Sequence, residues 1–87
     1  MTPNLAQSPR FKALVDEVAQ THGINRDELL GTRRHPRVAH PRQNLCLLAQ
    51  ERFGWSTTQI GRMIGQHHST VVHGIQQARK RIAEGAA

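Results

Sequence analysis

The stretch that decides the fold spans residues 56–75 and reads STTQIGRMIGQHHSTVVHGI. Ser56, with Gln59 three positions later, has the pattern of a capping box, which begins a helix. That helix is short, because Gly65 ends it after apolar residues have recurred on one face. After a turn of about three residues, a final helix carries apolar residues at Val71, Val72, Ile75, Ala78 and Ile82. Two helices joined by such a turn predict a helix-turn-helix.

A small residue inside the first helix of this motif supports the same interpretation. Gly61 has no side chain, so it lets the second helix cross closely. Across that crossing we expect Val71 and Ile75 to face Ile60 and Ile64. The general alternative is an αα-corner of the kind found in many small helical proteins.

Two helices are predicted upstream from their caps. Ser8 and Pro9 supply an N-cap and a proline at the first helical position. Gly23 ends this helix, whose apolar face is Phe11, Leu14, Val15, Val18 and Ala19. Asn25, with Glu28 three residues later, begins a helix of one or two turns that stops at Gly31.

The segment from Thr32 to Pro41 interrupts the helical pattern. Proline disfavours helix at the residue before it, so Pro36 and Pro41 predict a loop or an irregular start of the next helix. That helix is expected from about Pro41 to Phe53, where Gly54 follows, and its buried stripe is Leu45, Leu48, Ala49 and Phe53. The sequence predicts an all-α chain, with a compact helix-turn-helix domain at 8–84 and tails at 1–7 and 85–87.

Size and charge limit what such a domain can do. The chain has 87 residues and a formal net charge of +6, from 12 Lys plus Arg against 6 Asp plus Glu. Ten of these cations are arginine, whose planar fork matches phosphates and guanine edges. An acidic polymer is therefore the first partner to expect. So short a chain leaves no room for a catalytic domain with its own cofactor fold.

The lack of a membrane segment or secretory signal, together with the single cysteine, predicts a cytoplasmic location. No apolar run is long enough to cross a membrane, and residues 1–8 lack the apolar core of a secretory signal. Cys46 is the single cysteine, so it forms no internal disulfide and fits a reducing compartment. We expect a cytoplasmic, nucleoid-associated monomer with no membrane partner.

The start of the last helix is the first candidate site. His67, His68, Ser69, Thr70 and His73 surround the helix start and its outer face. In a DNA-binding helix-turn-helix such residues enter the major groove, where serine and threonine can bond bases or phosphates. The free N–H groups of the helix start also favour a phosphate. Since these histidines would lie near phosphates, binding is expected to tighten as the pH falls toward 6.

A basic segment, Arg33-Arg34-His35-Pro36-Arg37, is the second candidate site. Its prolines stiffen it, which reduces the entropy lost on binding. Arginine-rich extended segments beside a helix-turn-helix enter the adjacent minor groove in DNA-binding proteins. The ordinary alternative is a solvated loop. A further cluster at 79–81 is explained by the dipole at the end of the last helix.

Other kinds of chemistry lack the residues that they need. His68 and His73 do not share a helix face, and no Cys/His pair has zinc-finger spacing, so no metal site is expected. The glycines at 61 and 65 lack the Lys-Ser/Thr of a phosphate loop, and nothing orients a catalytic triad, so we expect no catalytic residue and no cofactor. Three aromatic residues are too few for single-stranded nucleic acid, and we expect Trp55 to be a packing residue.

Four segments carry a resemblance to a known family. They are DELLGTRR at 27–34, VAHPRQ at 38–43, IG at 60–61 and HSTVVH at 68–73. In this order and spacing they resemble the C-terminal DNA-binding domain of the bacterial replication initiator DnaA. The likeness covers most of residues 11–83. It implies a compact helical domain with a Trp-repressor-like helix-turn-helix that binds a short duplex box.

The resemblance also implies roles for individual residues. Arg34 matches the arginine that enters the minor groove, and Arg42 matches one that holds a phosphate. The pair Thr57–Thr58 matches positions near the DNA backbone at the start of the motif. Bases in the major groove would be read by His68 and Ser69, and Thr70 would make a neighbouring phosphate or base contact.

The sequence departs from the family pattern just before the last helix. The family's GGRDH is one residue shorter here, so that Gln66 replaces an arginine and His67 an aspartate. Aspartate accepts a hydrogen bond from cytosine, whereas histidine can donate one to guanine, which predicts a target other than the usual box. The family's ATPase domain has no counterpart in these residues, and we expect a free-standing domain without ATPase activity.

The sequence therefore predicts sequence-specific binding to double-stranded DNA, with a role in regulating replication initiation or transcription. The alternative is a protein-interaction module that binds an acidic partner through the same basic face. DNA binding should give a linear log–log salt dependence and competition by non-specific DNA, which distinguishes the two.

Overall fold

The computed structural model describes residues 8–31 and 33–85. They form five α-helices: α1 (Pro9–His22), α2 (Arg26–Leu30), α3 (Pro36–Phe53), α4 (Thr57–Ile64) and α5 (His68–Ala83). No strand occurs in these two ranges, and the all-α prediction is confirmed. Residues 1–7, Thr32 and the last two residues of the predicted tail at 85–87 lie outside the described part of the chain.

The three predicted N-caps are confirmed. The Ser8 hydroxyl accepts a hydrogen bond from the N–H of Phe11, and the Ser56 hydroxyl accepts one from Gln59 at 3.1 Å. Asn25 and Glu28 form a complete capping box, in which each side chain accepts from the backbone N–H of the other. Side-chain oxygens at these positions replace the partners that the first turn of a helix lacks.

The start of α3 differs from the prediction. The helix begins at Pro36 rather than Pro41 and runs unbroken to Phe53. His35 is the N-cap, because its Nδ1 accepts from the N–H of Arg37 at 3.2 Å. The prediction was wrong because histidine is not a usual cap residue, and because the buried ring of Pro41 packs on the core and offsets its one missing backbone hydrogen bond. Arg37 is consequently helical and does not belong to an extended segment.

The long helix α3 lies at the centre of the domain and packs against each of the other four helices. Leu45 and Ala49 are buried as predicted, while Leu48 and Phe53 are only partly buried. Cys46 is also buried, because a helix that is covered on several sides buries more than one stripe. All the buried apolar side chains join in a single core cluster.

The last helix follows the prediction only in part, since Val72 is half-buried. Val71, Ile75 and Ala78 are buried, but Ile82 is 57% exposed and does not belong to the core. In the last turn of α5 it is Arg81 that reaches α3, where its Nη1 donates to Gln43 Oε1 at 2.6 Å. The hydrogen bonds of Arg81 therefore join this last turn to α3.

The aromatic residues meet at the junction of α1, α3 and α4. The ring centroid of Trp55 lies 5.4 Å from that of Phe11 and 5.0 Å from that of Phe53, which confirms its packing role. The guanidinium of Arg10 lies over the ring of Phe53 at 5.0 Å. Across residues 8–31 and 33–85, no helix has both the length and the apolar character needed to cross a membrane.

Candidate nucleic-acid interface

The turn between α4 and α5 has the predicted length and is closed by its own backbone. Gly65 ends α4 in the left-handed conformation, with φ of 72°. The N–H of Gln66 then donates to the carbonyl of Gly61 at 2.9 Å. A Cβ atom on Gly61 would lie only 2.5 Å from the carbonyl oxygen of Gln66. The close approach predicted at Gly61 is confirmed, although its partner is the backbone of the turn rather than the body of the second helix.

The first turn of α5 is exposed and is capped by a histidine. His67 is the N-cap, and its Nδ1 lies 3.2 Å from the backbone nitrogen of Ser69 and 2.7 Å from Ser69 Oγ. The rings of His67 and His68 stack with centroids 4.3 Å apart. His68, Ser69 and Thr70 are all exposed. Four neighbouring side chains at one helix start are thus available to a partner.

A groove of about 480 Å³ separates this helix start from the segment that precedes α3. Arg34 and Arg42 line it on one side, and Ser69, Thr70 and His73 line it on the side of α5. The structure therefore brings five of the predicted site residues to one concave surface, including residues from both candidate sites and Arg42, which only the resemblance had singled out.

The base of this groove is a close contact between α3 and α5. A Cβ atom on Gly74 would lie 3.2 Å from Cγ of Gln43, so glycine allows the two helices to approach. Gln43 and Gln66 both line the groove, and sequence reasoning gave neither a role. In the sequence, Gly74 on the buried face of α5 was the signal that another helix packs closely there.

Arg42 is tied to backbone carbonyls. Its Nε donates to Leu29 at 2.8 Å, its Nη1 to Arg33 at 2.8 Å and its Nη2 to Glu28 at 3.0 Å. Burial lowers the pKa of this guanidinium from its ordinary value. Arg42 thus anchors the end of α2 and the start of the basic segment. Since a guanidinium has five N–H groups, two remain for another acceptor.

The other arginines of the basic segment differ in their surroundings. Arg33 and Arg34 are exposed, and no described hydrogen bond or ion pair uses either guanidinium. Arg37 pairs with Glu28, with Nη1 3.1 Å from Oε2. The structure places Arg34 in the groove, whereas Arg37 neutralises an acidic neighbour on α2.

Several predicted site residues lie outside the groove. Thr57 and Thr58 form the first turn of α4, and Thr57 is half-buried. His67, His68 and Arg33 also lie beyond the groove lining. All of them except Thr57 are exposed.

The acidic residues are confined to other parts of the fold. Residues 56–83, which form the whole helix-turn-helix, contain no aspartate or glutamate, a sign in the sequence that the motif analysis missed. In the three ion pairs of the described ranges, the carboxylates come from α1 and α2. In one of them, Arg52 holds the pKa of Glu17 below its usual range. No acidic side chain of the described residues lines the groove or belongs to the exposed start of α5, so both are positive or neutral.

No group of three or more histidine, cysteine or acidic side chains is placed to hold a metal ion among residues 8–31 and 33–85. Cys46 borders the groove but is buried, and burial raises the pKa of its thiol to about 12. The groove therefore offers hydrogen-bond donors and arginine charge as its chemistry.

Comparison with known proteins agrees with this architecture. The family described as "Bacterial dnaA protein helix-turn-helix" matches residues 11–78. The chain is 32% identical over 83 residues to chromosomal replication initiator protein DnaA 1 of Protochlamydia amoebophila, which covers 91% of the chain and 18% of that protein. It is 33% identical over 73 residues to the DnaA protein of Leptospira biflexa, covering 84% of the chain and 17% of the relative.

A third relative shows the same proportions. The DnaA protein of Thermoanaerobacter sp. (strain X514) is 29% identical over 81 residues, which is 93% of the chain and 18% of that protein. The chain thus spans less than a fifth of the length of these curated relatives and matches their C-terminal domain. No solved structure matches the chain. With the family matched from α1 into α5, this chain belongs to the bacterial DnaA helix-turn-helix family.

Proposed function

We propose that this chain binds double-stranded DNA, with the first turn of α5 in the major groove and the segment at 33–35 in the adjacent minor groove. The groove between Arg34 and the Ser69–Thr70 pair is the observation that carries the proposal. In duplex DNA, one sugar–phosphate strand separates a major groove from the neighbouring minor groove. A protein that reads both must straddle that strand, and a channel of about 480 Å³ gives the strand a place.

The major-groove contacts would come from the exposed helix start. His68 and Ser69 carry hydrogen-bonding groups that can reach base edges, and the methyl group of Thr70 can pack on a thymine. Their backbone is fixed by the His67 cap and by the closed turn before it. A fixed backbone lowers the entropy lost when these side chains are ordered on DNA.

The minor-groove contacts would come from Arg33 and Arg34. Both guanidinium groups are exposed, and Arg34 borders the channel opposite α5. The negative potential of a narrow minor groove attracts arginine. Because Arg42 Nη1 holds the carbonyl of Arg33 at 2.8 Å, the backbone of the segment is anchored where it leaves α2.

The strand between the grooves would be held by donors along the channel. Arg42 keeps two N–H groups after its three internal bonds, and His73 faces the channel from α5. We assign Thr57 and Thr58, at the N-terminus of α4, to a flanking phosphate, which the free N–H groups of a helix start favour. Arg37 contributes long-range charge, since its guanidinium is paired with Glu28.

We infer that occupation of such sites regulates replication initiation or transcription. The relatives are named chromosomal replication initiators, and the matched domain is the one with the helix-turn-helix. Site occupation requires only binding, so no nucleotide hydrolysis belongs to the proposal. A monomer on chromosomal DNA in the cytoplasm satisfies it.

The experiment is selection of bound sequences from a random duplex library, followed by titration of the selected duplex. We expect Ser69→Ala to cost roughly 1–3 kcal/mol and to relax the preference at one base pair. Arg34→Ala should weaken binding chiefly to sequences with a narrow minor groove. Lys80→Ala is the matched control, because it removes an exposed charge at the far end of α5 and should have little effect on sequence preference.

Two outcomes would overturn the proposal. One is a selection that yields no preferred sequence. The other is a selected duplex whose affinity and base preference are the same for the wild type, Arg34→Ala and Ser69→Ala. An acidic protein partner would give salt-dependent binding without the linear log–log slope and without competition by non-specific DNA.

A further inference from the structure

The geometry around His67 decides which hydrogen-bonding role is open to the Ser69 hydroxyl. Nδ1 of His67 lies 3.2 Å from the Ser69 backbone nitrogen and 2.7 Å from Ser69 Oγ. The backbone N–H is always a donor, so Nδ1 accepts from it only without a proton of its own. The neutral ring then carries its proton on Nε2, and in the second bond the donor is the Ser69 hydroxyl. Its oxygen consequently presents only lone pairs to a partner.

We propose that His67 is a specificity-determining residue, which sets the base preference of Ser69 through its state of protonation. The proposal rests on the proposed function, in which Ser69 reads a base. With His67 neutral, the Ser69 oxygen accepts and fits the amino group of adenine or cytosine. With His67 protonated, Nδ1–H donates to Ser69 Oγ, the hydroxyl proton is free, and the Ser69 N–H loses Nδ1 as its acceptor. Ser69 can then donate to guanine or to O4 of thymine.

No acidic side chain competes with Ser69 for the His67 ring among the described residues. Six charged or titratable groups lie on the elements packed around the helix start. Three of them line the groove from α3 and the segment before it: Arg34, Arg42 and Cys46. The others are Arg62 on α4, His73 on α5, and His68, whose ring stacks on that of His67. None is a carboxylate. Among residues 8–31 and 33–85, the hydrogen bonds of the His67 ring go to Ser69 alone, and no ion pair includes it. Protonation of His67 therefore acts directly on Ser69.

The identity of the cap residue decides whether Ser69 has one state or two. An aspartate at residue 67, as in the family pattern, could accept from the same two groups. It would remain an acceptor throughout the neutral range, so the serine hydroxyl would always be committed to it. Histidine also has a protonated form in which Nδ1 donates, and this form adds a second state.

The first test needs no DNA. In nitrogen NMR of the imidazole at pH 8, His67 should show an unprotonated Nδ1 and a protonated Nε2. His67→Asn supplies the assignment and should keep α5 intact, because asparagine is a favoured N-cap. A proton on Nδ1 at pH 8 would overturn the inference, since the ring could not then accept from the Ser69 N–H.

The second test measures binding to four duplexes that differ only at the base pair where Ser69→Ala relaxes the preference. Between pH 8 and pH 5.5, the wild-type preference for adenine or cytosine over guanine or thymine should fall roughly three- to tenfold, the effect of one net hydrogen bond. His67→Asn should give the same preference at both pH values, because its cap oxygen only accepts. His22→Asn, which changes an exposed histidine at the end of α1 outside the interface, is the matched control and should keep the pH dependence.

The outcomes separate this inference from the proposed function. A wild-type preference that does not change with pH, a pH dependence that persists in His67→Asn, or no base pair affected by Ser69→Ala would each overturn the role of His67. Sequence-selective binding would survive the first two results. Absence of any selected sequence would instead overturn the proposed function.

Discussion

Replacing Arg42 by lysine tests how the basic segment is held. The wild-type guanidinium donates to the carbonyls of Leu29, Arg33 and Glu28 at 2.8–3.0 Å. These acceptors belong to α2 and the segment after it, while Arg42 belongs to α3. One planar group thus joins three points of the backbone.

The expected loss follows from the bonds that lysine cannot make. A single ammonium group can keep about one of the three contacts, because it lacks the fork that reaches carbonyls on different sides. A hydrogen bond from a charged donor is worth about 1.5–3 kcal/mol, and partial exposure reduces this to about 1 kcal/mol. Losing two should lower the free energy of unfolding by about 2 kcal/mol. Stability for this chain length is roughly 4–13 kcal/mol, so the loss is measurable.

The assay is urea unfolding followed by Trp55 fluorescence, since the single tryptophan packs on Phe11 and Phe53. Arg26→Lys is the matched control, because its ion pair with Asp16 is partly exposed and should contribute less than about 1 kcal/mol. Equal unfolding midpoints for Arg42→Lys and the wild type, with equal slopes, would refute the bracing role. A loss in Arg26→Lys as large as that in Arg42→Lys would also refute it.

Three further results are expected. Gly61→Ala should lower the free energy of unfolding by about 1–3 kcal/mol, because its Cβ would lie 2.5 Å from a backbone oxygen. Gly74→Ala is the control and should cost less, because its Cβ would meet a flexible side chain. Equal losses in the two variants would contradict the turn geometry. Burial raises the pKa of the Cys46 thiol to about 12, so at pH 8 it should react with a thiol reagent only when the protein is unfolded in urea. Rapid labelling of the folded protein would contradict this. Burial, and then the charge of Arg81, lower the pKa of His40 in the folded protein. Since His40 then binds its proton more tightly in the unfolded chain, the free energy of unfolding should fall as the pH drops from 7.5 to 5. His40→Gln should reduce that slope in urea unfolding at several pH values, and equal slopes would contradict it.

Much of the fold follows from local rules that the sequence displays. The caps at Ser8, Asn25 and Ser56 are short polar residues at helix starts, and all three form. The cap at His35 does not belong to that set, and the start of α3 was therefore misplaced. The error moved Arg37 from the extended segment into a helix, where it meets Glu28.

The way the candidate site is assembled could not be predicted from the sequence. Arg34 and Ser69 are far apart in the sequence, and they meet across one groove only because α3 packs on α5 at Gly74. The bracing by Arg42 depends on carbonyl positions in α2, which no side-chain pattern encodes. Helix periodicity likewise placed Ile82 inside, since it contains no information about the reach of Arg81.

The central claim is selective recognition of duplex DNA by the channel between Arg34 and α5. Its most direct test is the ratio of affinities for the selected duplex and for a scrambled duplex of equal length, measured at one fixed salt concentration. We expect a ratio on the order of a thousandfold in the wild type, which falls markedly in Ser69→Ala. A ratio near one in the wild type would contradict the account.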